Sequence, residues 1–326
     1  MRIVPFESAH IPQAAALFAG RFAALHRRVP ILPGTLADPA CVEERLNAIT
    51  GGRAVAAFDG DRLIGYLGGF VVDHFRETTR RAAYCPEWGH AVAGDSTRAV
   101  YNALYRAISA QWANEGCDTH CLTLLAGDRD VEQTWFWSGF GMVLLDAIRP
   151  LDALDVRPPA GLTVRQAAPQ DADALADLDA EHWTHYAQPP VFMVPQPSTD
   201  AAEFAALLDD PNNSVWLALD GDTLAGFMRF EGRSHGAAAI VEDDATAAIT
   251  GAYVRPAYRG RGAAPALLDA ALRHYAALRH YAAHGFARCS VDFESFNPEA
   301  AHFWPKYFEP VCVSVLRVPE HVGQRP

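Results

Sequence analysis

The sequence of 326 residues contains no apolar run that approaches the roughly 20 residues needed to span a bilayer. Its first residues, MRIVPFESAH, lack the apolar core of a signal peptide. The six cysteines form no CxxC pair. Cys117 and Cys121 flank His120 in a strand-like run, which is more typical of core packing than of a metal site. These absences predict a cytoplasmic protein with no membrane partner and no bound metal.

Basic residues are also scarce, since 27 Lys and Arg stand against 39 Asp and Glu, giving a formal net charge of −12. Nucleic-acid binding requires a basic face that neutralises phosphates, so a nucleic-acid partner is not expected. The acidic balance favours a cationic substrate such as an amine. The same imbalance also keeps a protein soluble, so the charge leaves both interpretations open.

Two common phosphate-binding fingerprints are missing from the chain. There is no GxxxxGK[ST] sequence, which excludes a P-loop. The Gly-rich segment near residue 260 does not meet the GxGxxG spacing, because position 265 is proline. The sequence therefore does not predict a classic dinucleotide-binding fold.

What the sequence does contain is an internal repeat. FDGDRLIGYL at 58–67 and LDGDTLAGFM at 219–228 match closely and lie 161 positions apart. Each reads as a strand, a tight Asp-Gly turn and a second strand, because glycine accepts the positive φ that the turn needs. A proline-rich connector, 157–161, separates the two copies. We therefore predict two domains, residues 1–155 and residues 156–326, called here the first half and the second half.

Each half shows strands paired in hairpins and strands joined by helical connections. This order predicts an α/β (α+β) class, with a mixed, mostly antiparallel sheet flanked by helices in each half. In the second half the predicted strands are 161–166, 213–219, 224–231, 247–254, 287–294 and 309–317. The predicted helices there are 169–185, 200–208, 262–284 and 298–307.

A candidate anion site lies in the segment 249–264, ITGAYVRPAYRGRGAA. An apolar strand ends at Pro256, and RGRG at 259–262 then leads directly into a helix. The glycines allow backbone N–H groups to converge, the helix start adds positive potential, and the two arginines add charge. The expected ligand of this site is a diphosphate.

These residues resemble the GCN5-related N-acetyltransferases, whose signature is Arg/Gln-x-x-Gly-x-Gly/Ala after a Val-x-Pro-x-Tyr strand end. The matching residues are Val254, Pro256, Tyr258, Arg259, Gly262 and Ala264, followed by a second family element in Asn297, Ala300, Phe303 and Trp304. The resemblance implies that the loop holds the pyrophosphate of acetyl-coenzyme A and that the preceding strand pairs with its pantetheine arm. The implied cofactor-binding residues are Tyr253, Val254, Arg259, Gly260, Arg261, Gly262, Ala263, Ala264 and Asn297.

The phosphate loop does not survive in the first half. Aligned by spacing, Ser96 replaces the signature arginine, Ala99 a glycine and Tyr101 the small residue. Side chains there occupy space that backbone amides need for phosphate approach. We predict a degenerate first half that packs on the second and walls its substrate cleft. Glu87, Trp88 and His90 are expected in a surface loop, and the alternative is that they line a cleft.

Transfer of an acyl group to an amine needs a base that removes a proton. Alternation along the strand 289–297 places Asp292 and Glu294 on one face. In some members of the resembling family the base lies five residues before the conserved asparagine, which implies Asp292. Glu242, in the acidic run 242–244, is the alternative candidate.

The family's acid is usually a tyrosine seven residues after the asparagine, but Trp304 occupies that position. An indole N–H cannot serve as this proton donor. Tyr307, one helical turn further on, is the predicted substitute. Solvent is the alternative, because a thiol has a pKa of about 8.5.

The resemblance implies an acetyl-CoA-dependent N-acetyltransferase that acts on a small amine or a peptide amine. The alternatives are a mycothiol-synthase-like acyltransferase and a non-catalytic acyl-CoA sensor. Monomer and homodimer both stay open. The cofactor helix also carries a duplication, ALRHYA at 271–276 repeated at 277–282. The six extra residues, about 1.7 turns, are predicted to extend the helix or bulge out at its C-terminal end.

Overall fold

The computed structural model describes residues 1–94, 97–234, 236–278 and 285–320. Two features of the sequence lie outside these residues: Ser96, and most of the second copy of the duplicated hexapeptide. No helix in the described ranges is long and apolar enough to cross a membrane.

The first half begins with a strand and two helices and continues through a hairpin. Its helices are α1 (Ile11–Arg28), α2 (Pro39–Leu46), α3 (Thr97–Asn114) and α4 (Arg129–Phe136). Its strands are β1 (Arg2–Pro5), β2 (Ala54–Asp59), β3 (Arg62–Gly68), β4 (Phe70–Val72), β5 (Ala82–Cys85), β6 (His90–Val92), β7 (Thr119–Leu125) and β8 (Gly141–Pro150). The turn between β2 and β3 places Gly60 at φ 58°, as the Asp-Gly pair predicts.

The second half repeats this order after the connector. Its strands are β9 (Leu162–Gln166), β10 (Ser214–Asp220), β11 (Thr223–Glu231), β12 (Thr246–Val254), β13 (Arg288–Glu294) and β14 (Glu309–Arg317). Its helices are α5 (Ala172–Ala187), α6 (Ala201–Asp209), α7 (Ala263–Leu278) and α8 (Pro298–Phe303). Each predicted strand is present within one residue of its predicted ends. The α/β class, with mixed sheets flanked by helices, is thereby confirmed.

The strands form two sheets that do not follow the division into halves. One sheet has four strands in the order β1-β2-β3-β6, and the other has ten in the order β4-β5-β7-β14-β8-β13-β12-β11-β10-β9. Most neighbours are antiparallel, but β5 with β7 and β12 with β13 are parallel. The ten-stranded sheet is therefore built from strands of both halves.

The two halves exchange their last strands within this sheet. β8 of the first half pairs with β13 of the second, and β14 of the second half pairs with β7 of the first. β8 and β14 also pair with each other. Ala147 of β8 lies in the core under α7, while Val313 and Val315 of β14 lie in the core under α3. The predicted boundary near residue 155 falls in the connector between β8 and β9 and stays a prediction.

The segment 87–90 is not a surface loop, so that prediction is wrong. Glu87, Trp88 and His90 are 1%, 7% and 5% exposed. The Glu87 carboxylate accepts a hydrogen bond from the Ile240 N–H at 3.2 Å, which ties the segment to the second half. Burial follows because the turn between β11 and β12 packs its apolar residues, including Ile240, into the core of the first half.

Candidate active site

A gap between two strands of the second half forms the candidate site. β12 and β13 pair in parallel only where Thr246–Ile249 meets Arg288–Val291. At Thr250 the register between β11 and β12 shifts by one residue, which is a β-bulge. Beyond it β12 keeps its pairing with β11, while β13 keeps its pairing with β8. The two strands therefore separate, and a cavity of ≈ 780 Å³ opens between them.

The loop at the mouth of this cavity has the geometry of an anion site. Gly260 and Gly262 have φ values of 70° and 90°, which L side chains rarely adopt. α7 begins at Ala263, directly after them. The first N–H groups of a helix have no partner within the helix and carry its positive potential. The residues that carry these N–H groups border the cavity, so the groups are available to an anion there.

Arg259 is held by the protein itself. Its Nε donates to the Val254 carbonyl at 2.9 Å and its Nη1 to the Glu299 carboxylate at 2.7 Å. The guanidinium lies 5.6 Å from the centroid of the Tyr253 ring. Arg259 therefore fixes the loop against the end of β12 and the start of α8, and its charge still borders the cavity.

Asn297 begins α8 and closes the opposite wall. Its Oδ1 accepts from the N–H groups of Glu299 and Ala300 at 3.2 and 3.3 Å, as expected of an N-cap residue. The Tyr186 hydroxyl, from α5, lies against the Asn297 side chain. Burial raises the pKa of Tyr186 to about 12, so this hydroxyl keeps its proton at neutral pH.

Two carboxylates on β13, those of Asp292 and Glu294, border the cavity. Asp292 is solvent-accessible there but closely surrounded by protein, and this desolvation raises its pKa above the ordinary value. Glu294 is 8% exposed, and its pKa is also raised by burial. Arg76 lowers both pKa values by its charge, without cancelling the effect of burial. A carboxylate with a raised pKa is suited to accept a proton near neutral pH.

The structure brings most of the predicted site residues to this one cavity. The predicted residues that line it are Tyr253, Val254, Arg259, Gly260, Gly262, Ala263, Ala264, Asp292, Asn297 and Tyr307. Arg261 is exposed and does not border the cavity. Glu242 lies apart from Asp292 and lines a second cavity, of ≈ 640 Å³, with Asp243 and Asp244.

Glu242 lies away from the main cavity because the residues that precede it are bound to the first half. The Ala238 N–H donates to the Asp146 carboxylate at 2.9 Å, and the Ile240 N–H to Glu87. Burial raises the pKa of Asp146 to about 8 and that of Glu87 to about 7. The structure therefore leaves Asp292 as the predicted base that borders the main cavity.

Trp304 and Tyr307 follow α8. Trp304 is buried, and the Tyr307 ring packs 5.1 Å from the centroid of Phe303. Tyr307 reaches the cavity but is joined there by Tyr186, which the sequence analysis did not single out. The signal for Tyr186 is its position near the end of a helix rich in ring side chains, with His182 and His185 on the same cavity wall.

Residues 175–308 match the model of the Acetyltransferase (GNAT) family. A GCN5-related N-acetyltransferase from Sphaerobacter thermophilus is 15% identical, covers 97% of this chain and 95% of its own, and has a TM-score of 0.55. A tandem GNAT protein from the clavulanic acid biosynthesis pathway is 16% identical, covers 97% and 98%, and has a TM-score of 0.45. No curated protein matches the sequence.

The second half of the chain thus carries a domain of the acetyltransferase (GNAT) family, and the chain has the GNAT fold. The family is one of acyltransferases, which fits a cavity bordered both by the Gly-rich loop that precedes α7 and by the carboxylates of β13.

Proposed function

We propose that this protein transfers an acetyl group from acetyl-CoA to the amine of a small molecule or peptide, in the cavity of the second half. The observation that supports this most is the separation of β12 and β13 beyond Ile249 and Val291. It leaves the inner edge of β12 without a neighbouring strand, and an extended pantetheine arm can pair with such an edge as an added strand would.

The cofactor enters with its pyrophosphate on the loop 259–264. Gly260 and Gly262 keep side chains away from the backbone N–H groups, and the first turn of α7 adds its unpaired donors. The thioester then lies deeper in the gap, between the β12 edge and the carboxylates of β13. This direction places the acyl carbon at the end of the cavity that carries Asp292.

The chemical step needs one base and one acid. Asp292 takes a proton from the amine, whose nitrogen attacks the thioester carbon, and the C–S bond breaks to release the thiolate. A tyrosine hydroxyl on the cavity wall, from Tyr186 or Tyr307, returns a proton to the sulfur. Solvent can assist this last transfer, because the departing thiol has a pKa of about 8.5.

Calorimetric titration with coenzyme A and acetyl-CoA tests the cofactor site. We expect one molecule bound per chain, and a loss of affinity on the order of 100-fold or more in Gly262→Val. Valine disfavours the φ of 90° at this position and its side chain blocks the approach of phosphate to the backbone.

The matched control is Ala99→Val, at the corresponding position of the first half, where the residue is exposed on α3. This variant should bind the cofactor as the parent does, and both variants should show the circular dichroism of a folded protein. A folded parent protein that bound neither coenzyme A nor acetyl-CoA would end the proposal. The reverse pattern, with Ala99→Val impaired and Gly262→Val unaffected, would place the cofactor in the first half.

Release of coenzyme A on a panel of amines tests the activity itself. The panel should contain aliphatic polyamines, amino acids, amino sugars and peptide N-termini. Binding of acetyl-CoA without turnover on any of them would instead identify an acyl-CoA sensor. Turnover confined to an amine precursor of a thiol would identify a mycothiol-synthase-like enzyme.

A further inference from the structure

A loop of the first half reaches the carboxylates of the cavity in the second half. Arg76 lies between β4 and β5, and its Nη2 stands 2.8 Å from the Glu294 Oε1. The two side chains are 25% and 10% exposed, so water screens this ion pair weakly. The Arg76 guanidinium also lies 5.9 Å from the centroid of the Phe296 ring. Arg76 is thus held by β13 and by the residues that follow it.

The backbone of this loop is strained where it carries Arg76. His74, Arg76 and Glu77 have φ values of 54°, 53° and 57°, in the left-handed region that non-glycine residues avoid. Such a conformation is unfavourable for each of these residues unless its surroundings fix it. The loop is closed by the Phe75 N–H, which donates to the Arg80 carbonyl at 3.0 Å. Strain of this kind concentrates where a side chain must be held in one place.

The Glu294 carboxylate uses only one of its two oxygens in the ion pair with Arg76. While Oε1 meets Arg76, Oε2 is buried and has no hydrogen-bond partner in the structure. Glu294 lines the cavity beside Asp292, which precedes it by two residues on the same strand. A buried carboxylate oxygen without a donor is unfavourable until a donor arrives. A ligand N–H group in the cavity would supply it.

Titratable groups approach the two carboxylates from three other elements. Asp146 stands opposite Asp292 on β8, and its own pKa is raised chiefly by burial and further by Asp292. The Tyr186 hydroxyl approaches from α5. Arg76 is the cation that acts on both Asp292 and Glu294. Without it the pair would share a proton more readily, because neighbouring like charges disfavour each other.

We infer that the first half completes the acceptor site of the second through Arg76, a positioning residue that orients Glu294 so that its free oxygen binds the ammonium group of the acceptor. The identity of this ligand rests on the proposed function. The ammonium passes one proton to the Asp292 carboxylate and so becomes a neutral amine with a free electron pair. After the nitrogen attacks the thioester, its second proton passes through the tyrosine hydroxyl to the departing thiolate. Arg76 touches neither the amine nor the cofactor.

The test compares Arg76→Gln, Arg76→Lys and Arg81→Gln. Arg81 is the control because it lies in the same connection and forms a solvent-exposed pair with Asp73 at 3.2 Å. With the amine that is acetylated fastest in the panel, Arg76→Gln should raise KM for that amine about tenfold. It should also move the acidic limb of the kcat/KM profile up by about one pH unit. Affinity for acetyl-CoA should not change, Arg76→Lys should recover part of both effects, and Arg81→Gln should behave as the parent.

A second measurement does not depend on activity. Loss of Arg76 raises the folded-state pKa of Asp292 and Glu294 further above their unfolded values, so stability is lost as the pH rises through those folded values. The gap in free energy of unfolding between the parent and Arg76→Gln should therefore widen from pH 5 to pH 8. The gap for Arg81→Gln should stay constant.

A gap for Arg76→Gln that is the same at every pH would overturn the role of Arg76, whatever the activity. An unchanged kcat/KM profile in an active Arg76→Gln variant would overturn it as well. If no amine is acetylated, the proposed function fails, and the widening gap still decides whether Arg76 sets the charge of the two carboxylates.

Discussion

The two halves share a short parallel pairing of two strands and differ in the structure that follows it. In both, a short parallel ladder joins two strands, ending at Cys85 with Leu122 in the first half and at Ile249 with Val291 in the second. In the second half β12 continues past a bulge and a cavity opens. In the first half β5 ends at Cys85, and β6 begins at His90. The His90 side chain contacts β7, where its Nε2 lies 3.0 Å from the Thr123 carbonyl oxygen.

In the first half, large aromatic side chains fill the space that corresponds to the cavity of the second half. The His90 Nδ1 lies 2.7 Å from the Tyr101 hydroxyl, and the Tyr101 ring packs 5.3 Å from Trp135. All three residues are buried, and desolvation lowers the pKa of His90 to about 4. A cavity and a packed core thus differ here by a strand break, which divides the first half between two sheets, and by a few side chains.

The largest expected effect concerns the residue that follows each ladder, which is Thr123 in the first half and Asp292 in the second. Asp292→Asn should lower kcat by about 10²–10⁴-fold, because an amide cannot accept the proton of the amine. Calorimetry should show unchanged affinity for acetyl-CoA, since the anion-binding loop is at the other end of the cavity.

The variant Glu242→Gln tests which of the two carboxylates predicted from the sequence, Asp292 or Glu242, is the base. Because Glu242 lines a different cavity, turnover should stay within about twofold of the parent, as expected for a group outside the site. Loss of turnover in Glu242→Gln together with normal turnover in Asp292→Asn would assign the base to the second cavity.

The junction between the halves gives the next largest effect. Burial raises the folded-state pKa of Glu87 to about 7, against an unfolded value of about 4.3. Its stabilising contribution is therefore full below the unfolded pKa and is lost as the pH rises through 7. Glu87→Gln should gain about 2–3 kcal/mol over the parent between pH 4 and pH 8, measured by urea unfolding. The exposed Glu44, changed to Gln, should show no such trend, and a trend of opposite sign in Glu87→Gln would contradict the burial of the charge.

The smallest expected loss of activity among the residues that border the main cavity distinguishes its two tyrosines. By the 161-residue offset Tyr186 corresponds to Leu25, a buried core residue of the first half. Tyr186→Phe should lower kcat by up to about tenfold, because solvent can also protonate a thiolate with a pKa near 8.5. Tyr307→Phe should have less effect, since the Tyr186 hydroxyl is near both Asn297 and the carboxylates of β13, whereas Tyr307 is near Arg149. A larger loss in Tyr307→Phe would assign the acid to Tyr307 instead.

Local patterns predicted much of the second half. The Asp-Gly turns, the alternating strands and the loop 259–262 each depend on residues close in sequence, and each lies where the pattern indicates. The geometry of the loop 259–262 was predictable for the same reason, because it needs only two glycines and a helix start.

Contacts between distant segments could not be read from the sequence. The pair of Arg76 with Glu294 joins residues of different halves, and no local periodicity reports it. The surface prediction for 87–90 failed because polar Glu87 and His90 are buried with partners supplied by Ile240 and Thr123. The displacement of Glu242 likewise depends on where Ile240 packs, which is a property of the assembled core.

The exchanged strands have a consequence for the order in which the chain can fold during synthesis. Thr123 of β7 shares a hydrogen bond at 2.9 Å with Ser314 of β14, although 191 residues separate them. β7 therefore cannot pair with β14 until residues 309–317 have been synthesised, and β8 cannot pair with β13 until residues 288–294 have been. Because domains ordinarily fold as they emerge, the ten-stranded sheet is completed late, and a chain released before residue 309 would expose the edges of both β7 and β8.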